Sequence, residues 1–250
     1  MFSSTFFKHY SLKTGLVSLL GLASLLCSPG TSSAAILNGG FETGDFTNWD
    51  TIGQTFIETA EYGSGPTEGT QQALLDSFSE QSVDIVQLAD FLNIEVGSLN
   101  ALGEVYEGSA IKTSFTVEAG DVLSFDWNFL TDGVQAPLFN DFAFVSLSPT
   151  VERKLADTFS TFPTALQDHT VFYDQTGFQT YSYTFQTAGT YSLGIGVVDV
   201  GDGAVDSGLL VDNVLLSSSS TPKPVPEPAS VLGVLAFGAF GIGSRRLRQR

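Results

Sequence analysis

Cysteine occurs once in this 250-residue chain, as Cys27, and histidine twice, as His9 and His169. A lone cysteine cannot close an intrachain disulfide, and two histidines do not make a histidine-rich zinc centre. Basic residues are scarce as well: 10 Lys and Arg stand against 27 Asp and Glu. Every acidic residue except Glu227 lies between positions 36 and 220, where only Lys112, Arg153 and Lys154 are basic, leaving that stretch a net charge of −23. Nucleic acid and anionic surfaces are excluded as partners, because both need clustered Lys or Arg to displace counterions. Cations are favoured, either as specific calcium or as diffuse counterions of a solvated acidic surface. Long apolar runs are missing too. The two short ones stand near the two ends of the sequence, "LVSLLGLASLL" at 16–26 and "ASVLGVLAFGAFGIG" at 229–243.

The first run reads as the core of a signal peptide. Lys8 and Lys13 supply its positive flank, and "SSAA" at 32–35 supplies the small residues that signal peptidase requires. Cleavage is expected after Ala35, which removes Cys27 and starts the mature chain at Ile36. A lipoprotein signal would want small residues before Cys27, whereas Leu25 and Leu26 stand there.

Between the ends, period-two alternation dominates. "AIKTSFTV" (110–117) and "FQTYSYTF" (178–185) alternate apolar and polar side chains as half-buried strands do. "DVLSFDWNFL" and "DFAFVSL" are rich in aromatic and β-branched residues, and "EAGD", "TDG" and "TAGT" punctuate the runs as turns. Many short strands with regular turn signals imply an all-β, antiparallel β-sandwich. One segment differs: "SVDIVQLADFL" (82–92) has helical spacing, with Ser82 as the expected N-cap, and a short helical insertion continuing near "GSLNAL" is predicted.

"LNGGFETGDFTNW" (37–49) and "LLVDNVLLS" (209–217) resemble the opening and closing strands of jelly-roll domains related to carbohydrate-binding modules. The resemblance implies a jelly-roll-like body over 36–216, with first and last strands adjacent, so that Glu42 and Asp212 share a structural calcium ion. Calcium takes six to eight hard oxygen ligands, which two carboxylates with carbonyls and water supply. The alternative is that Glu42 satisfies backbone donors at a turn and Asp212 caps a strand end. A second acidic group, "DVGDGAVDSG" (199–208), sets Asp199, Asp202 and Asp206 among glycines. Its spacing departs from the EF-hand loop, so it is a weaker calcium candidate beside a plain turn.

Catalysis has little to work with. Signal removal leaves only His169, there is no Gly-x-Ser-x-Gly elbow, and no carboxylate pair is singled out for glycoside hydrolysis. The body is read as non-catalytic, with glycoside hydrolase the remote alternative. Trp49 and Trp127 are either core residues or sugar-stacking platforms, and core packing is favoured for both. Tyr62, Tyr106 and Tyr173 are further platforms near loops.

"SSSSTPKPV" at 217–225 is an extended Ser/Pro linker. Pro226, Glu227 and Pro228 follow it, then the fifteen-residue apolar run, then Arg245, Arg246, Arg248 and Arg250. As a helix that run is about 22 Å long, a thin transmembrane anchor against a hydrocarbon core of roughly 30 Å. The arginines place the tail on the cytoplasmic side and the body outside. Together, residues 226–250 resemble the PEP-CTERM sorting signal of exported bacterial proteins. That resemblance implies processing by an exosortase that reads Pro226, Glu227 and Pro228, and delivery to the cell surface or exopolysaccharide matrix. The expected function is binding of extracellular carbohydrate, or else a structural or adhesive role in a biofilm matrix.

Overall fold

The computed structural model describes residues 35–218, apart from 61, 63, 79–80, 133–136, 166–170 and 204–205. The signal segment before Ala35, His169, most of the Ser/Pro linker and the whole sorting segment, with its transmembrane helix, lie outside the described residues. Among the described residues no helix is long and apolar enough to cross a membrane.

In chain order the elements are β1 (Asp50–Ile52), β2 (Gln54–Thr59), β3 (Gln71–Asp76), β4 (Val83–Asp84), helices α1 (Ile85–Leu92) and α2 (Val96–Asn100), and β5 (Val105–Val117). There follow β6 (Val122–Thr131), β7 (Phe142–Leu147), β8 (Thr150–Asp157), β9 (Thr164–Ala165), β10 (Asp174–Gln175), β11 (Gln179–Thr184), β12 (Gly189–Val200) and β13 (Ser207–Ser217). One sheet has the order β1-β5-β12-β7-β8, with β4 also on β5; the other runs β2-β3-β13-β6-β10-β9, with β11 also on β6. All pairings are antiparallel. The architecture is the expected β-sandwich.

Alternation decides which side chains meet between the sheets. Phe125, Trp127 and Phe129 of β6 and Leu209 and Val211 of β13 face Ile111 and Phe115 of β5 and Leu193, Ile195 and Val197 of β12. Trp127 is therefore a core residue. So is Trp49, 6 % exposed, whose Nε1 donates to the Asn38 carbonyl at 3.2 Å. Each large side chain fully buried this way contributes about 1.5–3 kcal/mol.

The helices cover the outer face of the first sheet. Leu88, Leu92 and Leu99 pack on Ala110, Phe142, Phe144, Val198 and Val200. With both faces covered, the alternation of β12 dissolves into "LGIGVVDV". Gly194 lets α1 approach: a Cβ there would lie 2.5 Å from Leu92 Cδ2. The helical insertion is present, but Ser82 is not its cap. Asp84 is, its Oδ1 accepting from Val86 N and Gln87 N at 2.9 Å each, while Ser82 Oγ donates to the Phe78 carbonyl. Asp84 takes the role because its own backbone pairs with Glu107 in β4–β5, so the chain can turn helical only after it.

Candidate functional site

Residues 37–49, expected as an opening strand, form turns instead: the first strand, β1, begins at Asp50 and pairs with β5, and it is the turns that lie against β13. Val214 N donates to the Gly39 carbonyl at 2.9 Å, and a Cβ on Gly39 would fall 2.0 Å from the Val214 carbonyl oxygen, so only glycine fits. This contact brings Glu42 and Asp212 to the same stretch of chain, residues 67–71. Glu42 Oε1 accepts from Thr70 N and Gln71 N at 2.8 Å each, and Oε2 from Thr70 Oγ1 at 3.0 Å. Asp212 Oδ2 accepts from Thr67 N (2.7 Å), Thr67 Oγ1 (3.0 Å) and Glu68 N (2.8 Å), and Oδ1 from Asn213 N. The backbone N–H groups of Thr70 and Gln71 hold the exposed Glu42 carboxyl below its usual range. Burial raises that of Asp212 against the pull of its donors.

Glu68 joins them. A Cβ built on Gly40 would lie 2.9 Å from Glu68 Oε2, 3.7 Å from Asp212 Oδ1 and 3.8 Å from Glu42 Cγ. Yet among the described residues no group of three or more His, Cys, Asp or Glu is placed to hold a metal ion. In this structure Glu42 and Asp212 accept from the 67–71 segment and clamp it, and Asp212, in mid-strand in β13, caps no strand end.

The other acidic group is divided by the fold. Asp199 is not in a loop: it is the penultimate residue of β12 and fully buried, opposite Glu107 of β5. Asp206 stands just before β13, and Asp202 lies in the turn between the two strands. Around Asp199 gather residues the sequence did not single out. Asp141, 1 % exposed, precedes β7; Asp76 ends β3; Asp132 follows β6. Burial raises the pKa of Asp76 to about 6, and it raises Glu107, Asp132 and Asp206 as well. What these positions share is a strand end at one pole of the sandwich, a signal visible only once strand order is known.

Away from that pole, a pocket of about 510 Å³ opens beside Trp49. Asn48, Asp50, Lys112 and Ser114 line it with Trp49 and Phe115, and residues 35–37 form part of its wall. Lys112 is fixed there by its bond to the Phe91 carbonyl (2.8 Å) and by the Phe91 ring, 4.4 Å from Nζ. Of the three tyrosines, Tyr62 packs against the outer face of the second sheet, whereas Tyr106 and Tyr173 are exposed at the acidic pole.

Residues 224–249 match the family profile of the PEP-CTERM protein-sorting motif. The chain carries a PEP-CTERM sorting motif. Pro226, Glu227 and Pro228 fall inside the match. No curated protein sequence matches this chain. Solved structures similar to it include TmCBM61 in complex with β-1,4-galactotriose (16 % identity, 73 % of this chain and 97 % of that one, TM-score 0.42). Another is the K1 cleaved adhesin domain of Lys-gingipain from Porphyromonas gingivalis W83 (14 %, 76 % and 99 %, TM-score 0.41). A third is TmCBM27, a carbohydrate-binding module recognising mannan (15 %, 76 % and 96 %, TM-score 0.32).

The Asp212 acceptor bonds hold the 67–71 segment to β13. Asp212→Ala leaves the N–H groups of Thr67, Glu68 and Asn213 without their acceptor, at about 1–3 kcal/mol for each that water cannot reach. Denaturant unfolding should show a loss of roughly 3 kcal/mol or more, with new protease cleavage at 67–71. Asp212→Asn, which keeps an acceptor oxygen, should lose less.

Proposed function

We propose that the chain is an exported, non-catalytic surface protein, released to the cell surface or exopolysaccharide matrix by an exosortase, whose body binds extracellular carbohydrate. The observation that carries the first half is the sorting motif at 224–249. The residues Pro226, Glu227 and Pro228 are then recognised by another enzyme and do no chemistry themselves. Signal peptidase cleavage after Ala35 removes that residue from the pocket wall and leaves Ile36 and Leu37 on its rim.

The carbohydrate half rests on the pocket itself. Its volume lies within the range of small-ligand sites, and a carboxylate, an ammonium, an amide and a hydroxyl beside aromatic walls are the groups that orient sugar hydroxyls. Two experiments test the two halves separately. Alanine substitution of Pro226, Glu227 and Pro228 should hold the protein in the membrane fraction; an unchanged distribution would refute sorting through this motif. Retention on a panel of polysaccharides should fall at least tenfold in Asp50→Ala/Ser114→Ala, two exposed positions whose loss leaves the core intact. No retention of the wild type on any polysaccharide leaves the structural matrix role, and release of reducing ends would mark a hydrolase.

Calcium shared by Glu42 and Asp212, with backbone carbonyls and water completing its shell, is a separate proposal. A ligand present at 100 times its Kd adds about 2.7 kcal/mol to the native state. Chelation should then lower Tm by about 5–10 °C. A Tm unmoved by chelator removes calcium from the account.

A further inference from the structure

The pocket beside Trp49 exists because one edge of β5 outruns its partner. β1 pairs with that edge only at Ala110, Ile111 and Lys112. Asn48 has a positive φ of 71°, a left-handed backbone that asparagine tolerates better than most residues, and it keeps the chain before Asp50 out of the ladder. Thr113, Ser114 and Phe115 therefore line a hollow of about 510 Å³ together with Asn48 and Trp49. Thr113 Oγ1 holds the turn in place, donating to the Asn48 carbonyl at 3.0 Å.

The two charged residues of the pocket are cross-strand partners, Asp50 directly opposite Lys112. Opposite charges so placed are near enough to pair, with Cβ atoms about 4.5–5.5 Å apart. Here they do not: among the described residues the ion pair that forms joins Lys154 to Asp157. Lys112 turns instead to the last turn of α1, where Nζ donates to the Phe91 carbonyl at 2.8 Å and lies 4.4 Å from the centre of the Phe91 ring. That place suits a cation, because the last carbonyls of a helix carry partial negative charge. The Asp50 carboxylate is left exposed at the pocket, and among the described residues no cation or hydrogen-bond donor holds it.

We propose that the ligand of this pocket is an amino sugar, a unit of a polysaccharide with free amino groups, whose ammonium donates to Asp50 while its ring lies beside Trp49 and its hydroxyls meet Asn48 and Ser114. The proposal rests on the carbohydrate reading and narrows it. A neutral sugar leaves the Asp50 charge without an opposite, and an acidic sugar adds a second negative charge beside it. An ammonium makes a charge-assisted hydrogen bond there, roughly twice as strong as a neutral one. The rest of the body works in the same direction. Its basic residues are Lys112, Arg153 and Lys154 against 26 acidic ones, the 27 of the chain less Glu227, and a field of that sign concentrates a cationic polymer at the surface. A lysine side chain carries the same charge but brings no hydroxyls to Asn48 and Ser114, so a basic peptide satisfies less of the pocket.

Oligomers of glucose, N-acetylglucosamine and glucosamine, equal in length and linkage, differ only in the hydroxyl, acetamide or ammonium on carbon 2. Titrated into the full chain at mildly acidic pH, where the sugar amine is charged, the glucosamine oligomer should bind at least about fivefold more tightly than either of the others. Asp50→Asn, which keeps the shape of the side chain, should erase that preference. Asp90→Asn removes the same charge from exposed helix surface and should keep it. Equal or weaker binding of the glucosamine oligomer by the wild type overturns the amino-sugar assignment and leaves the carbohydrate reading standing. A preference that survives in Asp50→Asn also overturns it, by placing the attraction in the diffuse field of the body. So does a lysine oligomer that binds as tightly with the same dependence on Asp50, since the pocket would then read an ammonium and not a sugar. If the wild type binds none of the three oligomers the assignment falls, and the carbohydrate reading falls with it only when the polysaccharide panel also shows no retention.

Discussion

Buried carboxylates without a basic neighbour are the constraint around which this body is built. An isolated ionised carboxylate in a low-dielectric interior costs far more than any single contact returns, so each must find donors, a cation or a proton. With only Lys112, Arg153 and Lys154 in the body, ion pairing is closed to most of them. Asp212 takes three backbone N–H groups and a hydroxyl; Asp141 takes an N–H and a hydroxyl. Asp199 takes one hydroxyl, from Ser77, and burial raises its pKa above the usual carboxylate range. The different solutions follow from position. Asp212 lies beneath a segment whose N–H groups have no strand to pair with, whereas Asp199 lies inside a ladder whose N–H groups are already spent on β5 and β7.

That distribution divides the sandwich along β5. Glu107, near its start, belongs to the acidic pole; residues 112–115, further along, line the pocket. Between them Ile111 faces the inter-sheet core and Ala110 the helices. One strand thus carries two different surfaces, and a substitution at one pole reaches the other only through a close-packed apolar layer.

The fold was legible where one face of a strand meets water. The alternation of "AIKTSFTV" survives in β5 and that of "FQTYSYTF" in β11 because their outward residues are partly solvated. It vanished in β12, whose outer face is roofed by α1 and α2, and there sequence offered a featureless apolar run. Glu42 and Asp212 were legible as a pair because the opening and closing motifs imply neighbouring strands. Asp141 was not, because an acid before "FAFVSL" looks like any turn residue. Its role depends on Val200 and Ser207, some 60 residues away, and only sheet order brings them within 3.0 Å. Asp199 was noticed for the wrong reason: among glycines it looked like part of a loop, yet its backbone completes a ladder and its side chain points into the core end.

Charge also bears on the proposed ligand. On the proposed reading, processing at the sorting motif removes the four arginines of the tail, and the delivered body keeps its full acidic excess. A surface of that sign repels polyanions over a distance set by the Debye length, about 8 Å at physiological ionic strength. Lys112 does not reverse this locally, because Asp50 lines the same pocket and its ammonium is engaged with Phe91. On the proposed reading the pocket therefore selects neutral over acidic polysaccharide, and does so by exclusion: the field of the whole body rejects charged chains before the few groups at Trp49 have to discriminate among neutral ones.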